Sequence, residues 1–289
     1  MPPIRLRAVL LAALLVIPAD VLRADDRVEI VPDVVYGHKA GMGLTFDVLK
    51  PKENANGVGV LAMMSGGWVS RWFPPEEILR RSRLQEGRFA ALVNRGYTVF
   101  MVWHGSSPRF KVPEAVQDVR RAVRFVRRHA ERFGVDPDRL GVFGASAGGH
   151  LALVLGTTPD EGDPDSDDPV ERTPSRVAAV VAYFAPVDLR NSVGPNERFP
   201  ALEFDPELAE SVSPIAHVSS DDAATLLIHG DADDLVPIRH SRRIHAALKE
   251  NGVPVELIVI EGAAHGFRGQ DAQRAARAQV DWFDKHLRK

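Results

Sequence analysis

The sequence predicts a single-domain α/β protein with a mostly parallel, twisted sheet and helices on both faces. Three observations carry this. From residue 33 onward, apolar runs short enough for strands alternate with longer segments of helical period. Several of the short runs are apolar throughout, as in strands buried on both sides. The 289 residues, 45% hydrophobic and 26% charged, suffice for one large core, and no repeat or Gly/Ser linker divides them.

Residues 1–24 stand outside that pattern. Arg5 and Arg7 precede an apolar run from Ala8 to Ile17, and Ala24 is a small residue suited to cleavage. That is the layout of a secretory signal peptide, and the run is too short to span a bilayer. The expected mature chain is therefore 25–289, secreted or periplasmic, without stable membrane insertion. It contains no cysteine, so neither a lipid-modified cysteine nor a disulfide is available to it.

The first elements form a hairpin: "DVVYGH" (33–38) and "LTFDVLK" (44–50), separated by "KAGMG". "GVGVLAMM" (57–64) and "YTVFMVW" (97–103) read as buried strands. A helix follows from Pro113 to Gly134, with Val116, Val119, Val123 and Val126 on one face. The arginines at 120, 121, 124, 127 and 128 lie opposite and read as its solvated face. "RLGVFG" is a strand and "SAGGHLALVLG" a helix. "RVAAVVAYFA" (176–185), "ATLLIHG" (224–230) and "VELIVIEG" (255–262) are further strands, with helices from 238 and from 271.

Between them, "TTPDEGDPDSDDPVERTP" (157–174) is acidic and proline-rich. Asp163, Asp165 and Asp167 alternate as at the start of a calcium loop. However, Asp168 and Pro174 stand where such a loop needs glycine and glutamate, so the segment reads as a solvated insertion. No metal or organic cofactor is implied. Lys+Arg 36 against Asp+Glu 39 leaves no basic footprint for nucleic acid.

"GVFGASAGGH" (141–150) sets Ser146 among small residues at a predicted strand-to-helix turn. G-x-S-x-G in that context is a nucleophile elbow, which holds a serine hydroxyl up at the carboxyl edge of a sheet. A serine needs a base to take its proton and a carboxylate to orient the base. On such a sheet the partners follow in the order Ser, Asp, His, on loops after later strands. "HGDADDLVP" supplies Asp231, Asp233 and Asp234, and "GAAHGF" supplies His265. Of the other histidines, His229 reads as a brace for its turn, and His104 follows a strand without a partner in sequence order.

These motifs, with "AVQDVRRAVRFVRRHAERFGVDPDRLGVFG", resemble the α/β-hydrolase serine esterases, and most nearly the secreted feruloyl and acetyl-xylan esterase-like (BD-FAE-like) group. The likeness runs from the first hairpin to the C-terminal helix. It implies Ser146 as nucleophile and His265 as base. Through the pattern H-G-x-x-D-x-x-V-P it singles out Asp233 as the acid. It also implies an oxyanion hole from the N–H of Ala147 and of a residue in "MMSGGWVS", where Gly67 is favoured. The family usually has His-Gly-Gly-x-Trp there, whereas this chain has Ser65-Gly66-Gly67-Trp68, with Met64 or Ser65 in the histidine's place. That departure leaves the bracing of the loop open.

The expected substrate is a small-molecule or carbohydrate ester with a short acyl group such as acetyl or feruloyl. Specificity is expected to lie in 186–213, a short polar segment that should leave the site open. Trp68 and Trp72 are candidates for sugar stacking, and Trp68 equally for buried packing. Two alternatives remain: a prolyl-oligopeptidase-like peptidase and a non-catalytic binding module on the same fold. Neither the acyl specificity nor the oligomeric state follows from the sequence.

Overall fold

The structure, a computed structural model, describes residues 27–85 and 87–288, so the leader-like residues 1–24 lie outside it. Strands β1 (Val28–Lys39) and β2 (Met42–Pro51) form the expected antiparallel hairpin. Six more follow: β3 (Gly59–Met63), β4 (Thr98–Val102), β5 (Leu140–Ala145), β6 (Ala179–Tyr183), β7 (Ala224–Gly230) and β8 (Val255–Ile260). They make one sheet in the order β1-β2-β4-β3-β5-β6-β7-β8, antiparallel in its first three strands and parallel from β4 onward.

The parallel strands β3 to β6 are buried throughout except at Ala145, the last residue of β5. Alternate side chains feed two cores: Leu140 and Val142 face one side of the sheet and Phe143 the other. The first core packs under α3 (Val112–Arg128), α4 (Ala130–Phe133), α5 (Ala147–Thr157) and α6 (Arg239–Glu250). There Phe46 stacks with Tyr36 and meets Phe100, Phe125 and Phe133 edge-on. Burying one such ring contributes about 2 to 3 kcal/mol. The second core lies under α1 (Pro75–Leu84), α2 (Arg88–Asn94) and α7 (Gly269–Leu287).

α3 stops at Arg128, one residue before a bend at His129, and Gly134 closes the single turn of α4 in a left-handed conformation (φ 67°). Two expectations need correction here. The arginine face of α3 is not wet: of the five arginines only Arg128 is exposed, and Arg124 is buried. Nor is the acidic insertion free in solvent, because it lies across that face. Arg124 pairs with Asp160 and Glu171, and Arg121 with Glu171 at 2.6 Å and Asp168 at 2.7 Å. Arg127 donates to the carbonyls of Pro174 (2.7 Å) and Arg176 (2.5 Å). Two partly desolvated faces of opposite charge satisfy each other, which neither does alone. Asp163, Asp165 and Asp167 do remain exposed.

Candidate active site

Every residue singled out from the sequence sits at the carboxyl edge of a parallel strand. Gly67 follows β3, Ser146 follows β5, Asp233 follows β7 and His265 follows β8. That edge is where open α/β sheets bind their ligands.

The turn at Ser146 is tight enough to demand its small neighbours. A Cβ on Gly144 would lie 2.2 Å from the carbonyl oxygen of Gly148, and one on Gly148 would lie 2.4 Å from that of Met63. Ser146 itself has φ 55° and ψ −121°, a strained conformation for a residue with a side chain. It persists because its N–H donates to Tyr183 O (2.9 Å) and its carbonyl accepts from His150 N (2.9 Å).

His265 Nε2 lies 2.9 Å from Ser146 Oγ, and its Nδ1 lies 2.7 Å from Asp233 Oδ2. The Asp233 carboxylate is fully buried, and its Oδ1 accepts from Leu235 N and Val236 N, both at 2.9 Å. The two flanking aspartates are exposed; Asp231 accepts from Gly262 N (2.6 Å) and so shapes a turn. The structure thus brings Asp233 alone of the three to the histidine. Phe184 packs edge-on against His265, ring centroids 4.6 Å apart.

His229 braces the acid loop, as expected: its Nδ1 meets Ser241 Oγ and its Nε2 meets Val236 O, each at 2.7 Å. Burial lowers its pKa, so it stays neutral beside Asp233.

The loop after β3 turns through Gly67 and Trp68, both with φ 57°, between reciprocal hydrogen bonds of Gly66 and Val69 at 3.1 and 3.0 Å. Two positive φ values in succession make a type I′ turn. Glycine adopts it freely, whereas tryptophan there costs on the order of 1 kcal/mol. Gly67, Ala147 and Ser146 line one pocket of about 480 Å³. Ala147 opens α5, where first-turn N–H groups have no carbonyl a turn behind them.

The bracing of this loop, open at the sequence level, comes from two histidines on other elements. His104, just after β4, places Nε2 2.8 Å from Ser65 Oγ and Nδ1 2.8 Å from Gly105 O. His150, on the second turn of α5, accepts from Trp68 Nε1 (3.2 Å) through Nδ1 and donates through Nε2 to Val212 O (2.7 Å). Burial pushes both imidazoles down to about 4. Trp68 is therefore a packing and bracing residue, 5% exposed, rather than an open sugar platform. Trp72 is 49% exposed and donates to Asp47 Oδ2 at 3.1 Å.

The segment 186–213 covers the pocket and lines it with both polar and apolar residues, Asp188, Asn191, Ser192 and Asn196 beside Leu189, Phe199 and Leu202. Arg190, Glu197 and Arg198 face solvent, while Leu189 and Leu202 are buried and Phe199 packs on Trp68. The site is thus less open than the composition of the segment suggests, because a short 3-10 turn at Pro200–Leu202 folds Ala201 and Leu202 inward.

With this geometry in place, comparison with known proteins is direct. The family model BD-FAE matches residues 46–248. The chain belongs to the BD-FAE family. This BD-FAE member is 29% identical to Esterase LipQ of Mycobacterium tuberculosis over 249 residues, 81% of this chain and 56% of LipQ. It spans about half the length of the curated relatives it matches. It is similar to a truncated carbohydrate esterase from gut microbiota, with TM-score 0.75, 28% identity, and 92% and 99% of the two chains covered. It is also similar to an acetyl ester-xyloside bifunctional hydrolase of Caldicellulosiruptor lactoaceticus, with TM-score 0.73, 25% identity, and 88% and 95% covered. The fold is that of the α/β-hydrolase esterases.

Proposed function

We propose that this BD-FAE member is a serine carboxylic-ester hydrolase acting on short-chain acyl esters of carbohydrates. The observation that carries the reading is the chain of two short hydrogen bonds from Ser146 Oγ through His265 to buried Asp233, 2.9 and 2.7 Å long. His265 Nε2 takes the proton of Ser146 as Oγ attacks the ester carbonyl. Asp233 keeps the imidazole oriented and stabilises the imidazolium. The N–H groups of Gly67 and Ala147 stabilise the oxyanion, an effect worth a hundredfold or more per donor, of order 10²–10³. His265 then returns its proton to the leaving alcohol oxygen, and the acyl group stays on Ser146. A water, deprotonated by the same nitrogen, releases the acid and restores the serine.

Carbohydrate as the alcohol is supported by the names of the two structural neighbours. The pocket of about 480 Å³ beside Ser146, walled on one side by Phe199 and Leu202, has room for acyl groups up to the size of feruloyl. The same reading takes the chain as exported, on the strength of its leader-like residues 1–24.

The test is hydrolysis of acetyl, butyryl, feruloyl and long-chain esters and of acetylated xylan, with Ser146→Ala in parallel. Acetate or ferulate release by the unmodified chain, lost in Ser146→Ala together with labelling by a serine-reactive phosphonate, is the expected result. Faster cleavage of proline-containing amides or long-chain triglycerides overturns the substrate class. Activity retained by Ser146→Ala overturns the mechanism.

A further inference from the structure

The pocket of about 480 Å³ occupies one side of Ser146. Beyond the oxyanion and histidine loops lie two further clefts, of about 390 and 350 Å³, that share Arg88 as a wall. The first is bounded by Phe184, Gly266 and Phe267, that is by the ring packed on His265 and the two residues after it. The second runs along Ser65, Gly66 and Ala145, next to Gly67 and Ser146. Both clefts are lined by chain neighbours of the site residues, Ser65, Gly66 and Ala145 in one and Gly266 in the other, and share one guanidinium as a wall.

Arg88 opens α2 and lies among aromatic rings, its guanidinium carbon 5.1 Å from the centroid of Tyr183 and 5.9 Å from those of Phe89 and Phe143. Rings offer π faces but no counter-charge. Among the described residues no carboxylate pairs with Arg88, whereas nearby Arg81 is held by Glu77 at 2.6 Å and Arg95 by Asp284 at 2.7 Å. No Asp or Glu among the described residues lines either cleft, while Arg71 adds positive charge to the second. Burial holds the guanidinium below its ordinary value, the mark of a cation short of stabilising partners. An arginine stays charged all the same, so an anion entering this cleft meets a half-buried fork of donors with no carboxylate paired to it among the described residues.

The reaction geometry says which half of the substrate reaches it. The alcohol oxygen must lie within hydrogen-bond distance of His265 Nε2 to receive its proton. The alcohol half therefore projects on the histidine side, along Phe184 and Phe267 toward Arg88, and the acyl half fills the pocket beside Gly67 and Ala147. Phe73, 47% exposed at the wall of the second cleft, offers a ring face of the kind that sugars pack on.

We propose that Arg88 forms an anion subsite for a carboxylate on the alcohol half of the substrate, so that the preferred ester is an acylated sugar acid rather than an acylated neutral sugar. This rests on the esterase reading above, and the two can fail separately.

The experiment compares an O-acetylated hexuronate with the matching O-acetylated hexose, which differ in a carboxylate for a hydroxymethyl group, with acetyl nitrophenyl ester as a third substrate. For the full chain at pH 7, the ratio of kcat/KM for uronate over hexose is expected to be about 10 to 100, the range of a charge-assisted hydrogen bond. It should shrink with added salt. Arg88→Met should bring the ratio to about 1, and Arg88→Lys should keep several-fold of it. Thermal melting of each variant identifies any that fails to fold, and in that event the salt dependence of the unmodified chain still decides. A ratio near 1 in the unmodified chain, or one that Arg88→Met leaves unchanged, overturns the subsite while nitrophenyl ester cleavage keeps the esterase reading intact. Failure to cleave all three substrates overturns the esterase reading itself.

Discussion

Replacing Ser65 by alanine tests whether the loop after β3 is held in place from β4. His104 is 5% exposed and neutral above its lowered pKa of about 4. Its Nδ1–H therefore donates to the Gly105 carbonyl, and its Nε2 accepts from the Ser65 hydroxyl at 2.8 Å. Alanine leaves that nitrogen a buried acceptor without a donor, which costs about 1 to 3 kcal/mol. For a chain of this size each kcal/mol lowers Tm by about 2 to 4 °C, so the middle of the range is a fall of roughly 4 to 8 °C. The rate should suffer separately. Gly67 lies two residues on, and in the proposed mechanism its N–H meets the oxyanion only as the tetrahedral state forms. Removing such a donor outright costs about 10²–10³ in kcat, and loosening it should cost about tenfold with KM little changed. Melting curves and steady-state kinetics on an acetyl ester read both effects. A lowered Tm with kcat within about twofold of the original would refute the argument, since Ser65 would then brace the fold and not the oxyanion donor.

The other predictions concern the acid, the buried imidazoles and the elbow. Asp233→Asn should lower kcat by roughly ten-thousandfold because the histidine tautomer is lost, while Asp231→Asn and Asp234→Asn should stay near the original; kinetics on all three decide the assignment. His104 and His150 stay neutral when folded but take up protons below pH ~6.5 when unfolded. Their stabilisation is thus full above pH ~6.5 and is lost as pH falls toward about 4, at about 2 to 3 kcal/mol for each by pH ~4.5. Thermal melts across that interval should show the loss and His150→Gln should reduce it; a Tm that does not change with pH sinks the linkage. Gly148→Ala would place a Cβ 2.4 Å from Met63 O. It should cost about 1 to 3 kcal/mol or more and shift the elbow, measured as lower Tm and slower phosphonate labelling.

Much of the sheet was legible because its signals are local. The unbroken apolar runs of β3 to β6, the valine stripe of α3 and the glycines around Ser146 each carry their own structural reason. Asp233 and His265 were legible through chain order and motif, since both hang from strand ends that the apolar runs mark. The misses are two short helices and several relations between distant segments. α1 buries only Pro75, Leu79 and Ser82, and α2 is only about two turns long with an abrupt apolar run, so neither has a usable period. The arginine face of α3 looks solvated until the acidic insertion some forty residues later is laid across it; Arg124 and Glu171 are 47 positions apart. The bracing of Ser65 and Trp68 by His104 and His150 spans 39 and 82 positions. A histidine's partner at that range is set by topology, and no spacing rule reports it.

The clamp between α3 and the insertion also limits how the protein can be rebuilt. Because the guanidinium of Arg124 is only 9% exposed, a version with 158–176 shortened would strand it without its carboxylates, a loss of about 3 to 5 kcal/mol. A graft of the insertion onto another scaffold would meet the reverse problem, with Asp160, Asp168 and Glu171 laid on a face that lacks arginines. Loop exchange in this chain is therefore a two-segment operation. Recombination breakpoints belong before α3 and after residue 176, so that helix and insertion travel together as one cassette.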